Sequence, residues 1–223
     1  MLNKYDNQIN HIRQTISTLL RNILEADKLS LEAFSDDKVE LYQEAEDKLN
    51  NMRIQGDMID NDIIKTFALY GPEANELRTL VAYLKMTNEI IRIGSGVKKY
   101  ASRMKSFSKT DCDLSSLKTT IIQLHKSTIN ALEYITNCLG DLESCDVKNF
   151  YVKVMVEESK NDDFFAVLEK EIMHIIIDEK ELSTEYVKIL GALRKLERSC
   201  DRSINIANLI MYAKEGGSMN IYS

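Results

Sequence analysis

The chain has 223 residues, of which 44% are hydrophobic and 29% charged, and it carries a formal charge of -6. That is enough apolar material for one large core or two small ones, and it excludes disordered and collagen-like chains. With 8 glycines and 1 proline in the whole length, turn formers are too scarce for the many hairpins of a sandwich or barrel, so the expected class is all-α.

No run approaches the apolar length of a membrane span, and the opening residues Met1 to Asp6 lack a cationic segment followed by an apolar one. A cytoplasmic protein is expected. Cys112, Cys138, Cys145 and Cys200 show neither a Cys-x-x-Cys pair nor zinc-finger spacing and read as reduced, packed thiols. Phosphate backbones are bound chiefly by lysine and arginine, and no basic stripe offsets the acidic balance, so nucleic acid is not an expected partner.

Ile9, Ile12, Ile16, Leu19 and Ile23 alternate steps of three and four and predict a first helix over about 3–33. After Ser35-Asp36-Asp37, a second pattern carries Val39, Leu49, Met52, Ile59, Ile63 and Phe67 as far as Tyr70-Gly71. Pro72 suits the first position of a third helix, with Glu73 and Glu76 at its positive end, and Leu77, Leu80, Leu84, Ile90, Ile93 and Val97 form its stripe.

The polar segment 106–116 is the best domain boundary. Beyond it come helices over about 117–139, 146–178 and 182–214, the last two joined by the short turn Asp178 to Glu181. Three helices on each side suggest an internal duplication with a period of about 110 residues. The expected architecture is two tandem three-helix bundles, residues 1–108 and 114–215, followed by a flexible tail 216–223.

The last two helices must run antiparallel, so residues equidistant from their turn share a level. Glu158 and Asp201 are one such pair, and Asp162 and Glu197 another. Each acid also has a like partner four residues along its own helix. Four carboxylates therefore fall on one rung, beside the stripe of Phe165, Leu168 and Ile172 on one helix and that of Leu190, Leu193 and Ile204 on the other. A like-charge pair about 6 Å apart costs roughly 3 kcal/mol at an effective dielectric of 20. Protons, basic partners such as Lys160, Arg198 and Arg202, or a hard cation would relieve it.

The mirrored position in the first half holds Asp47, Asn51, Ile91 and Ser95, a single carboxylate, so no multi-metal site is expected there. Glu171 and His174 have the Glu-x-x-His spacing of di-iron carboxylate enzymes, but neither His11 nor His125 has a glutamate three residues before it to complete the set.

Glu197-Arg198-Ser199-Cys200-Asp201, continuing through Asn205-Ile206-Ala207 to Tyr212 and Gly216, resembles the Glu-Arg-Ile-Gly-Asp and Asn-Ile-Ala signature of the PhoU family of phosphate-uptake regulators. Pro72-Glu73-Ala74-Asn75-Glu76-Leu77-Arg78 is similar to that family's Pro-x-Ala-x-Asp-Leu-Arg segment, and Arg92-Ile93-Gly94 to the middle of its first-repeat signature. Ile91, Ser95 and Asn51 depart from the family's acids, and Ser199-Cys200 replaces Ile-Gly, setting a thiol between acids of the second motif.

The resemblance implies a six-helix duplicated fold and a non-enzymatic regulator of phosphate uptake and phosphate-starvation signalling. It also implies metal ions, an iron cluster among them, on Glu158, Asp162, Glu197 and Asp201. It implies docking to a phosphate transporter's ATPase and a sensor histidine kinase, contact with the membrane through those partners only, and a homodimer. The alternatives from the residues alone are a helical scaffold with ion-paired acids, or a di-iron enzyme built on Glu171 and His174.

Overall fold

A computed structural model describes residues 2–178 and 180–216, and the regular structure among them is entirely helical. Glu179 of the predicted turn and the expected tail beyond Gly216 lie outside the described residues. Six rods form two three-helix bundles, with the second rod in two pieces. In order they are α1 (Leu2–Ser35), α2 (Glu40–Lys48) with α3 (Met52–Tyr70), α4 (Ala74–Phe107), α5 (Lys118–Gly140), α6 (Val147–Asp178) and α7 (Ser183–Glu215).

The break between α2 and α3 corrects the continuous second helix read from periodicity. Backbone bonds there tighten to three-residue spacing, Leu49 N–H to Glu46 and Asn50 N–H to Asp47, while Asn50 Nδ2 donates to Asp47 Oδ1 at 3.2 Å. Asparagine side chains compete with the helix for backbone and local acceptors, and two in succession end it. Periodicity survives the break, because Leu49 and Met52 stay buried on either side of it.

Gly71 closes α3 in the left-handed conformation at φ 55°, with its N–H on the Phe67 carbonyl. Glu73 is then extended at φ -114°, so α4 opens at Ala74 and Pro72 sits outside the first turn predicted for it. Asp146 opens α6 by accepting bonds from the N–H groups of Lys148 and Asn149, the usual work of an N-terminal aspartate.

Ile12, Ile16, Leu19 and Ile23 are buried as the spacing predicts, as are Leu80, Ile90, Ile93 and Val97. Leu77 is an exception and stands exposed, while Leu190 and Ile204 are only partly covered. On α7 the buried positions are instead Ile189, Leu193, Leu196 and Cys200, because this helix is flanked by α4, α5 and α6 and needs a wider apolar arc than a single stripe.

The two bundles lie side by side. Helix α1 packs on α5, and α4 runs antiparallel along α7, with Arg202 donating to Glu89 at 2.7 Å and Arg78 stacked 5.7 Å over Tyr212. Gly96 lets these rods approach, since a Cβ there would stand 3.0 Å from Ser199 Oγ. The apolar core therefore runs without interruption from one bundle into the other.

Two of the four thiols read as reduced are in fact bonded to each other. The turn after α5 brings the Cα atoms of Cys138 and Cys145 to 5.2 Å and the pair forms a disulfide, whereas Cys112 and Cys200 are not disulfide-bonded. A seven-residue spacing has no motif that announces a bridge; the reversal of the chain creates it.

Candidate metal centre

Helices α6 and α7 bring Glu158, Asp162 and Asp201 together, with one carboxylate oxygen from each lying within 4.8 Å of the others. Glu197 stands outside this triad by distance, yet Asp201 and Asp162 both act on its charge. Its Oε2 is buried with no hydrogen-bond partner. Predicted level pairing is thus realised with a shift: Asp201 meets both acids of α6 instead of Glu158 alone.

Burial and crowding hold these groups toward the protonated form. Burial first, then Asp201, raises the Glu197 carboxyl from 4.5 to about 7, although Arg194 and Arg198 oppose the rise. Glu158 is raised by burial and then by Asp162 and Asp201. Asp162 is raised by burial and Asp163, and Asp201 by burial and Asp162 against Arg202 and Arg198. All four groups shift in one direction, each by burial first, and the nearby arginines offset this only in part.

Of the basic residues that an ion-pair network would use, Lys160 and Arg202 are engaged elsewhere, as is Arg194, whereas Arg198 acts on Glu197 and Asp201 without forming an ion pair among the described residues. Lys160 holds Glu157 at 2.8 Å, Arg202 holds Glu89 at 2.7 Å and Arg194 holds Glu169 at 2.9 Å. Among the described residues, none of the four acids forms an ion pair.

Asn161, between the two acids of α6, is fully buried and reaches the Leu124 carbonyl and Ser127 Oγ at 2.8 Å and Thr128 Oγ1 at 3.0 Å. One turn is thereby locked onto α5, and Glu158 and Asp162 are held to one side of it. Asn130 donates to the buried Glu157 at 3.2 Å and strengthens the same seam. Sequence reading missed Asn161 and Asn130, since an asparagine within an apolar stripe carries no signal until its acceptors on α5 are known.

A carboxylate-only donor set suits hard cations. Cys200 is fully buried and lies outside the group of candidate ligands, and burial together with Asp201, Glu158, Asp162 and Glu157 pushes its thiol up, which disfavours the thiolate a metal would need.

The mirrored position of the first half is built differently. Asp47 and Asn51 fall on opposite sides of the α2–α3 break, and Asp47 accepts bonds from Gln43 at 3.0 Å and Asn50 at 3.2 Å. Ile91 packs over Gly56, where a Cβ would meet its Cδ1 at 2.9 Å, and Ser95 stands alongside on α4 without a carboxylate partner. Glu171 and His174 are exposed on α6 and belong to no group of three ligating side chains among the described residues.

Two further features escaped the sequence. The fully buried His125 Nε2 lies 2.6 Å from Asp27 Oδ1, joining α5 to α1 between the bundles, with the Tyr100 ring edge-on to the imidazole at 4.9 Å. A local basic cluster was not read from the sequence either: Lys99 and Arg103 on α4 act on Lys195 of α7, together with Arg198. These residues are some 90 positions apart in sequence, and only the antiparallel contact assembles them.

The description "PhoU domain" fits residues 5–104, the half whose acidic motif is degenerate, while the motif noticed in sequence lies in the other half. A phosphate-specific transport system accessory protein PhoU from Edwardsiella tarda is 24% identical over 174 residues, covering 78% of this chain and 68% of that protein. Its homolog from Streptococcus pneumoniae is 21% identical over 222 residues, 97% of each chain. In fold, the crystal structure of PhoU from Pseudomonas aeruginosa superposes with a TM-score of 0.87 at 17% identity, over 96% of this chain and all of that one. That of the phosphate transport system regulatory protein PhoU from Streptococcus pneumoniae gives 0.77 at 19% identity, over 96% and 98%. The matched domain in the first half, relatives that align along most of the chain and the shared six-rod architecture together make the chain similar to PhoU proteins in sequence and in fold.

Proposed function

We propose that this protein is a non-enzymatic regulatory accessory of a phosphate-specific transport system, working at the cytoplasmic side by docking to other proteins, with a hard cation held by Glu158, Asp162, Glu197 and Asp201. The observation that carries the metal reading is the buried, unpartnered Glu197 Oε2 beside a triad whose oxygens already converge. The accessory role is supported by relatives named for it that align along most of the chain.

A bound cation would neutralise the rung, tie α6 to α7 and present local positive charge at the bundle surface. Docking is supported by the outer face of α6, where Val152, Met155, Val156, Val167, Met173 and Ile177 stand exposed at helical spacing. The transporter's ATPase and a sensor histidine kinase are the proposed partners, and a second copy of the chain is a further candidate for this face. No described helix is long and apolar enough to cross a membrane, so contact with one would run through those partners.

A strain lacking the gene and carrying a phosphate-starvation reporter tests the reading. Loss of repression at high phosphate, restored by wild type and not by Glu158→Gln/Asp201→Asn, is the expected result. Normal repression in the deletion strain would overturn the regulatory role, and full restoration by the double variant would overturn the part given to metal.

A further inference from the structure

The α4–α7 groove gathers cations that form no ion pair with a carboxylate. Lys99, Arg103, Lys195 and Arg198 make no ion pair among the described residues, whereas their neighbours Arg92, Lys188 and Arg202 are each within reach of Glu89 or Glu185. Lys99, Arg103 and Arg198 are exposed. Antiparallel packing, pinned by Arg202 on Glu89 and by Gly96 against Lys195 and Ser199, sets Lys99 and Arg103 level with the first half of α7.

On α7, Lys188, Gly191, Lys195 and Arg198 share one face at helical spacing. Gly191 has open space where a Cβ would stand, and so leaves the floor between the lysines clear. Beside the end of α4 lies a cleft of about 340 Å³ whose polar lining is Ser102, Arg103, Ser106, Glu185 and Lys188, with Lys188 paired to Glu185, so that Arg103 is its unpaired cation. Arg198, Lys99 and Arg103 all lie near enough to Lys195 to act on its charge. This mirrors the acid rung on the other side of α7 with the sign reversed. Arg198 lies between the two and also acts on Glu197 and Asp201.

We propose that the α4–α7 groove, through Lys99, Arg103, Lys195 and Arg198, is an anion site for a diphosphate group. Charge sets the class. One phosphoryl group carries about -1.5 to -2 near neutral pH, so two are needed to answer four cations. The guanidinium forks of Arg103 and Arg198 match phosphoryl oxygens in pairs, while the lysines act as point charges. The Ser102 hydroxyl at the cleft end adds a donor, while that of Ser106 is spent on the Ser102 carbonyl. Free pyrophosphate and the diphosphate of a nucleotide share this chemistry.

Isothermal titration of the full chain with inorganic pyrophosphate, and separately with ADP, tests the site. Chelator is kept present so that no anion is held through metal at the acid rung. Saturable 1:1 binding that weakens at least tenfold in Lys99→Gln/Arg103→Gln, and not in the exposed Lys170→Gln, is expected. Both substituted α4 residues are exposed, and an unchanged circular dichroism spectrum confirms the fold. Binding of pyrophosphate alone would identify the free anion, and tighter binding of ADP the nucleotide; either supports the proposal. Absence of binding by both at low ionic strength, equal binding by the double variant, or response only to an oligonucleotide would overturn it. The result is independent of the metal reading, because the assay contains none.

Discussion

Replacing Glu197 with glutamine should make the metal-free protein more stable, in a manner that depends on pH. The Glu197 carboxyl is raised from 4.5 to about 7, chiefly by burial and by Asp201, so between those values the folded state holds a proton that the unfolded state has released. Stability therefore falls as pH rises through that window, with the full penalty present above 7 and none below 4.5. The difference corresponds to about 3 kcal/mol, which solvent screening of a partly exposed group reduces to about 1–2 kcal/mol. Glutamine keeps the shape and removes the charge. At pH 8 and in chelator, Glu197→Gln should melt roughly 2–8 °C above wild type, for a chain of this size. At pH 4.5 the two should nearly coincide. Scanning calorimetry at both pH values decides it: a variant less stable than wild type at pH 8, or one with the same gain at both, would refute the crowding argument.

His125→Phe should lower stability by about 3–5 kcal/mol, because it strands the buried Asp27 carboxylate between the bundles, and a urea midpoint read by circular dichroism measures the loss. Asn161→Ala should weaken cation binding roughly tenfold with Glu158 and Asp162 intact, since it removes the lock that orients them; calorimetric titration checks this. Reducing the Cys138–Cys145 bridge should cost about 2 kcal/mol for so short a loop and leave cation affinity unchanged, as a melting curve and a metal titration with and without reductant would show.

The six-rod layout was legible because spacings of three and four residues report burial directly, as at Ile12, Ile16, Leu19 and Ile23. The acid rung was legible for a related reason: a tight turn makes two helices antiparallel, and distance from the turn then predicts level. That rule reached Glu158, Asp162 and Asp201, and placed Glu197 only approximately, since equal distance from a turn says nothing of how each rod is rotated about its axis. The break at Leu49 to Asn51 was hidden, because the apolar pattern runs straight through it.

Features made by contact between the bundles were not legible. Asp27 and His125 are 98 positions apart, and Arg202 and Glu89 are 113 apart. The basic groove likewise exists only where α4 meets α7, so a chain of net charge -6 gave no hint of it. The disulfide depended on the course of a turn, which composition does not specify.

Metal stoichiometry tests the central claim most directly. Protein purified without chelator should carry a cation by elemental analysis, or after stripping should bind Mn²⁺ or Fe²⁺ saturably in calorimetry. Glu158→Gln/Asp162→Asn/Glu197→Gln/Asp201→Asn should lose that binding by at least a hundredfold while keeping its helical spectrum. A wild-type chain that neither carries nor takes up metal, or a substituted chain that binds as well as wild type, would contradict the account.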